Sequence, residues 1–429
     1  MRLTVKIDLF LLIVSLLIVV YYAVAAVYYP NIYVFSTYED LYGEWTQTYF
    51  FCFAFIFSLL NVFQHGLKQH RWFFLLLAIA AFYVFMEEIS WGQRLINFDT
   101  PGFFAKNSYQ NEANLHNLLT GPVESWTKTV LTYLISLGLI GYGVIFPVAL
   151  RWQWKPSLLL VRLGVASPPL GLGAAFTFGS LCELELFSFN EAEVAEVLVA
   201  MALACTAFFY WLQTQARWQK RQIYCFTALL TTVFAFAVGT TLILLNNPNQ
   251  RKEIDARLAN GYQKFADRYE RFDNYLAIAE TLQLYDQLKP DNTVILRRIA
   301  DNYKLSGLDA KHDEFIYRAI DVALKRNNKD PDNVPNAISL AKSYFQVNRP
   351  EKVYFYGSHA YTIAKKHYDE GKDRAYWAYW LAKACEQINK QPEALQYYRQ
   401  AHRLEPDNNR YDRAYHEKKR LMAEFYEEE

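Results

Sequence analysis

In the C-terminal part of the chain one apolar signature recurs at a spacing of 41 residues: Leu258-Ala259-Tyr262, Ile299-Ala300-Tyr303, Leu340-Ala341-Tyr344 and Leu381-Ala382-Cys385. A second set keeps the same period, since Ala319, Ala360 and Ala401 each follow the small Ala of their own unit by 19 residues. A fixed period of this length restricts the chain to like helical units, each burying its apolar face against the next. Ala at the crossing lets two helices of a hairpin approach closely. The large apolar and Tyr positions then fill the seam between hairpins.

The last unit is the clearest. Leu381, Ala382, Ala394, Tyr398, Ala401 and Pro406 provide a large apolar, small, small, aromatic, small and helix-ending series, and Pro-Asp-Asn recurs at 290–292, 331–333 and 406–408. On these residues the segment from about 250 to 410 resembles the tetratricopeptide repeat (TPR) family. It departs from that family in length, about 34 residues per unit being usual there, and in lacking a Trp near the start of each unit. The longer period predicts longer helices or turns. The resemblance implies a concave surface for a peptide or partner protein, lined from the first helix of each unit. Its partner-binding candidates here are Arg297, Lys304, Lys342, Tyr379 and Lys383. Their mild basic excess suits an acidic peptide or a C-terminal carboxylate; a solvated helix face of mixed charge is the competing reading.

Charge divides the 429 residues in two. Residues 1–246 hold 13 Lys and Arg and 14 Asp and Glu, whereas 247–429 hold 31 and 29. The first part carries apolar runs at about 7–29, 49–63, 72–86, 130–150, 163–181, 194–213 and 223–245. Most approach the roughly 20 residues that cross a bilayer. The run at 163–181 is the weakest, interrupted by Pro168-Pro169 and several glycines. Charge asymmetry restores it: with a cytoplasmic N-terminus, Arg2, Lys6, Lys68, Arg71, Arg151, Lys155, Arg162, Arg217, Lys220 and Arg221 all face inwards. The expectation is an all-α chain with a seven-helix transmembrane bundle at 1–246 and a TPR-like α-solenoid at 247–429. The array then lies outside the cytoplasm, in the periplasm of a bacterial inner-membrane protein. Ala23-Val24-Ala25 resembles a signal cleavage site, but the long first run reads as an uncleaved anchor.

Thirteen of the 14 acidic residues of the first half fall on its outer side. The sharpest motif there is Glu87-Glu88-Ile89-Ser90-Trp91-Gly92-Gln93-Arg94, in which Glu87, Trp91 and Arg94 share one helical face. Ionisable groups at membrane depth are costly, so these glutamates either cap an interface or face a functional cavity. In the next segment Glu112 and His116 are neighbours at i, i+4. The two motifs together are similar to a signature of bacterial multi-span proteins, a similarity that implies no activity. Glu87, Glu88 and His116 are the catalytic candidates, as acid and base on a lipid or lipid-linked substrate. Glu87, Glu88, His116, Glu183 and Glu196 are the candidate ligands of a divalent metal ion.

No Gly-x-Ser-x-Gly, His-Glu-x-x-His or phosphate-binding glycine loop occurs. Five cysteines show no paired spacing, and the net charge of +1 argues against nucleic acid. Membrane lipid and a protein or peptide are the expected partners. The leading reading is a membrane-anchored array for protein binding or assembly. A membrane-embedded enzyme acting at the outer leaflet is the alternative, and a transporter a lesser one.

Overall fold

The computed structural model describes residues 2–38, 41–93, 100, 102, 126–186, 190–217, 219–371 and 373–427, and every regular element among them is helical. The chain forms two compact units, Met1–Arg268 and Tyr269–Glu429.

The first unit contains α1 (Arg2–Tyr28), α2 (Pro30–Ser36), α3 (Tyr42–Phe63), α4 (Arg71–Glu88), α5 (Trp126–Ile140), α6 (Phe146–Arg151), α7 (Lys155–Arg162), α8 (Gly173–Glu183), α9 (Glu191–Thr214), α10 (Gln222–Asn246) and most of α11 (Pro248–Tyr269). One π-helical turn, Gly141–Ile145, joins α5 to α6. Among the described residues, six stretches of 22 to 25 residues are long and apolar enough to cross a membrane: Val5–Tyr28, Tyr42–Phe63, His65–Glu88, Thr129–Arg151, Glu191–Thr214 and Gln222–Asn246. At a rise of about 1.5 Å per residue each exceeds the hydrocarbon thickness of about 30 Å.

Helix α9 is the hub, because 67% of its span is buried against other helices while the other five remain mostly open at their sides. Its buried face is rich in small residues, Ala195, Ala200, Ala204 and Ala207, and small side chains let membrane helices pack backbone to backbone. Polar contacts tie the neighbours together. Asn61 Nδ2 donates to the Ala207 carbonyl at 2.8 Å, Tyr49 and Thr240 share a hydroxyl hydrogen bond of 2.6 Å, and Ser136 and Ser180 each donate to the other's carbonyl.

Where the sequence shows its weakest span, helix begins only at Leu170, and Leu170–Glu183 is shorter than the six others. Residues 165–169 lack regular structure. Irregular backbone away from water needs protein partners for its polar groups. Here Gln69 Nε2 donates to Val161 O, Trp72 Nε1 to Leu163 O, Tyr142 Oη to Ala166 O and Tyr210 Oη to Ser167 O, and the His70 ring meets Gly164 O at 2.9 Å. Gly164 itself has φ +94°, and a Cβ there would stand 2.3 Å from both Gln69 O and Trp72 Nε1. At the start of the helix, Gly171 N–H donates to Asp8 Oδ1 of α1 at 3.1 Å. Asp8 therefore serves as a cap on another helix, satisfying an N-terminal amide that has no intrahelical acceptor.

The second unit holds α12 (Tyr275–Leu288), α13 (Thr293–Leu305), α14 (Asp309–Lys329), α15 (Val334–Gln346), α16 (Pro350–Glu370), α17 (Arg374–Gln387), α18 (Gln391–Leu404) and α19 (Asn409–Glu427). Each packs on the next, and α13 with α15 and α15 with α17 also touch. The repeat signature is the core: Ala300, Ala341, Ala382, Ala319, Ala360 and Ala401 are all fully buried, as are Ile299, Leu340 and Leu381. The asparagine of each Pro-Asp-Asn turn caps the start of a helix. Asn292 Oδ1 accepts from Val294 N and Ile295 N, Asn333 Oδ1 from Asn336 N, and Asn408 Oδ1 from Arg410 N. Such caps contribute about 1 kcal/mol each. The long period is built from helix rather than turn, since α14 and α16 run 21 residues where α12 and α18 run 14.

Composition changes at 246/247, but the compact units part at 268/269. The reason is α11, which carries the first repeat signature yet packs inside the first unit. Phe265 stacks on Tyr33 at 5.3 Å, Gly261 sits against Tyr38 and Val34 with no room for a Cβ, and Arg268 approaches the buried Glu191 at 3.9 Å.

Candidate functional site

Two places gather functional side chains, one in each unit. In the first unit the acidic residues lie where α3 and α9 begin and α4 and α8 end. Glu196 of α9 accepts from Gln47 Nε2 at 2.6 Å, and the carboxylates of Glu183 and Glu44 are within electrostatic range of it. Beside this group an apolar slot of about 500 Å³ opens between α1, α3, α9 and α10, lined by Leu17, Tyr21, Tyr22, Tyr42, Val197 and Phe234 among others. The Tyr21 and Tyr42 hydroxyls hydrogen-bond at its rim.

Glu87 is placed by a different contact. It is buried in the last turn of α4, and Trp91 Nε1 donates to its Oε1 at 2.6 Å. The sequence spacing predicts this pair on a continuous helix; the backbone makes it differently. Helix α4 stops at Glu88, and Ser90 and Trp91 take positive φ values of 47° and 52°, a conformation that non-glycine residues adopt only when their surroundings enforce it. The packing of Ile89 with Trp45 and Ala237 supplies that enforcement. Glu88 is half-buried, and His116 and Arg94 lie outside the described residues. Among the described residues, no three of Glu87, Glu88, Glu183 and Glu196 bring their ligand atoms within 4.8 Å of one another, and His116 of the same expected set lies outside those residues.

In the second unit a groove of about 770 Å³ is lined by Arg297 of α13, Lys342, Phe345 and Gln346 of α15, Tyr354 of α16, Glu386 of α17 and the turn after it. The TPR resemblance names Arg297 and Lys342, and both are in this groove. Arg297 is fixed: one of its terminal nitrogens donates to Ser339 O, Ser339 Oγ and Ser343 Oγ at 3.0 to 3.3 Å. Lys342 makes no hydrogen bond or ion pair among the described residues, and Lys383 of α17 is close enough for its charge to act on it. Lys383 leans on Glu386 at 3.7 Å and over the rings of Tyr379 and Tyr398. Lys304 is exposed on α13 and does not line the groove. Tyr379 is not on the groove wall; it is buried in the core between α17, α18 and α19 with Tyr398 and Tyr411. The resemblance places a residue by its register, whereas the burial of an aromatic ring is decided by the neighbouring helices. Phe345, Tyr354 and Ile388 add an apolar wall that single-residue charge reasoning passes over.

Burial pushes the Lys342 ammonium below its ordinary value of 10.5; Lys383 and Arg297 act in the same direction, against Glu386 and Glu417. Burial lowers Arg297 likewise. A cation with a lowered folded-state pKa is a cost of folding. Between the folded and unfolded pKa values the unfolded chain holds more protons, so stability rises with pH across that window and the cost is full below it. Lys342→Met is therefore expected to raise the melting temperature near neutral pH. The gain should fade as pH climbs towards 10.5. Thermal unfolding of both proteins across that range checks it, and a gain that does not change with pH contradicts the reading.

No protein-family model matches the chain, and no curated protein matches it.

Proposed function

We propose that this is an integral membrane protein whose first unit anchors a TPR-like array that binds an acidic protein segment. The observation carrying this is the groove between α13, α15, α16 and α17, where the cations Arg297 and Lys342 are held half-desolvated beside an apolar wall and Lys342 makes no direct ion pair among the described residues. Such an arrangement disfavours an empty groove and favours a carboxylate, whose charge restores what burial removed. Phe345, Tyr354 and Ile388 then select segments with an apolar residue next to the acid.

In the same proposal the bundle has seven spans. Helix Leu170–Glu183 reaches about 21 Å, and the five irregular residues before it extend about 16 Å more at strand-like rise. Together they span a bilayer. With the positive residues cytoplasmic, the C-terminal array is on the opposite face, in the periplasm if the protein belongs to a bacterial inner membrane. Fusion of a periplasm-active reporter to the C-terminus tests this orientation; a reporter active only in the cytoplasm overturns it. Fluorescence-anisotropy titration of the purified full-length protein with a labelled glutamate-rich peptide containing Leu or Phe tests the binding. Affinity should fall steeply with added salt, and the absence of binding at low salt removes the proposal.

A second reading is favoured by a separate observation, the Glu196, Glu183 and Glu44 group beside the tyrosine-rimmed slot. An acyl chain fits the slot, whose wall includes Val197, the chain neighbour of Glu196; an apolar site near a carboxylate is what an enzyme acting on a lipid or lipid-linked substrate requires. Loss of cellular function in Glu196→Gln with peptide binding retained would favour it over a pure scaffold.

A further inference from the structure

Where α18 turns into α19 two histidines share an aspartate. His402 Nδ1 lies 3.5 Å from Asp412 Oδ1, and His416 Nε2 lies 3.3 Å from the same oxygen. The three ligand atoms all fall within 4.8 Å of one another. These are poor hydrogen bonds but good metal spacings: two atoms each about 2.05 Å from a tetrahedral zinc ion are about 3.3 Å apart. His402 Nδ1 is buried and has no hydrogen-bond partner among the described residues, an arrangement that a polar atom rarely adopts without a reason.

The scaffold for the three is rigid. Tyr411 and Ala401 are buried in one cluster and fix the register of α19 on α18, which puts their chain neighbours Asp412 and His402 face to face. His416 follows Asp412 at i, i+4 and so returns to the same helical face. The His402 ring is held by stacking on Tyr415, with centroids 5.4 Å apart and planes 11° from parallel. His416 is mostly exposed, leaving an entry path and a coordination position for water.

From this geometry we infer that His402, Asp412 and His416 form a binding site for a zinc-class divalent metal ion that pins α19 onto α18. Two imidazoles and one carboxylate suit Zn²⁺, Co²⁺ or Ni²⁺ and are a poor set for Ca²⁺ or Mg²⁺, which take oxygen ligands. Beyond Tyr411, α19 carries many charged and exposed side chains over its described length, with Ala414 and Tyr415 its apolar contacts to the neighbouring cluster, so a three-ligand staple adds to a modest apolar contact.

The test uses the full-length protein in detergent after treatment with a chelator. Calorimetric titration with Zn²⁺ should give one ion per chain, and Co²⁺ should develop the visible bands of a four-coordinate site. His416→Gln removes a ligand from the surface without touching the core, and Asp412→Asn keeps the shape while removing the charge. Each should weaken Zn²⁺ at least tenfold and abolish the Zn²⁺-induced rise in melting temperature. Zn²⁺ affinity unchanged in both variants, or no Zn²⁺ bound by the unaltered protein, overturns the inference.

Discussion

Gly171→Ala should cost the protein about 4 kcal/mol, as overpacking of a rigid contact together with loss of a charged hydrogen bond. A Cβ at this position would stand 1.9 Å from the Asp8 carbonyl oxygen and 2.6 Å from the carbon bearing it. Both sides of the contact are backbone, so no rotamer change relieves it, and α1 must move off the start of the broken helix. That motion also breaks the bond from Gly171 N–H to the Asp8 carboxylate. A loss of this size is a large share of the roughly 5–15 kcal/mol that holds a folded domain. Gly138→Ala is the control of opposite sign, because nothing lies within 4 Å of its Cβ position and Ala is the better helix former by about 0.5–1 kcal/mol. Denaturant unfolding in detergent compares the two; equal stabilities would show that α1 does not clamp the helix.

Lys342→Glu should weaken binding of the glutamate-rich peptide about 50-fold, and Lys342→Glu combined with Lys383→Glu should make it undetectable. Charge reversal at a half-desolvated cation both removes an attraction and adds a repulsion, and close charge pairs at interfaces are coupled by a few kcal/mol. Lys342 is the position to change because it holds nothing in place among the described residues, whereas Arg297 braces α13 against α15 through Ser339 and Ser343. Arg297 substitutions would mix folding with binding. The melting temperature of Lys342→Glu should stay close to that of the parent protein, which separates lost affinity from lost structure. Retention of full affinity in the double variant would place the acidic segment elsewhere.

The core of the array is legible in the sequence because it is periodic. Ala300, Ala341 and Ala382 are buried for the reason their spacing gives, close helix crossing, and the asparagines of Pro-Asp-Asn cap helices by turn chemistry that spans only three or four residues. The candidate site was legible in part. Arg297 and Lys342 follow from register on the first helix of a unit, and both line the groove. Tyr379 occupies an equivalent register but is drawn into the core by Tyr398 and Tyr411, which arrive from the next two helices. Phe345 gains its meaning only from Tyr354 and Ile388 opposite it.

By itself, then, the sequence determined what depends on near neighbours: helical elements, six strongly apolar stretches, the buried alanines and the capping turns. Hydropathy, helical period and capping are properties of a few consecutive residues. Only the tertiary structure decided that α11 packs within the first unit, that Asp8 caps a helix more than 160 residues away, and that Glu196 pairs with Gln47. It alone brought His402 to Asp412 and His416. Those pairings depend on how helices cross, and distances between helices are set by packing against elements that no local pattern names.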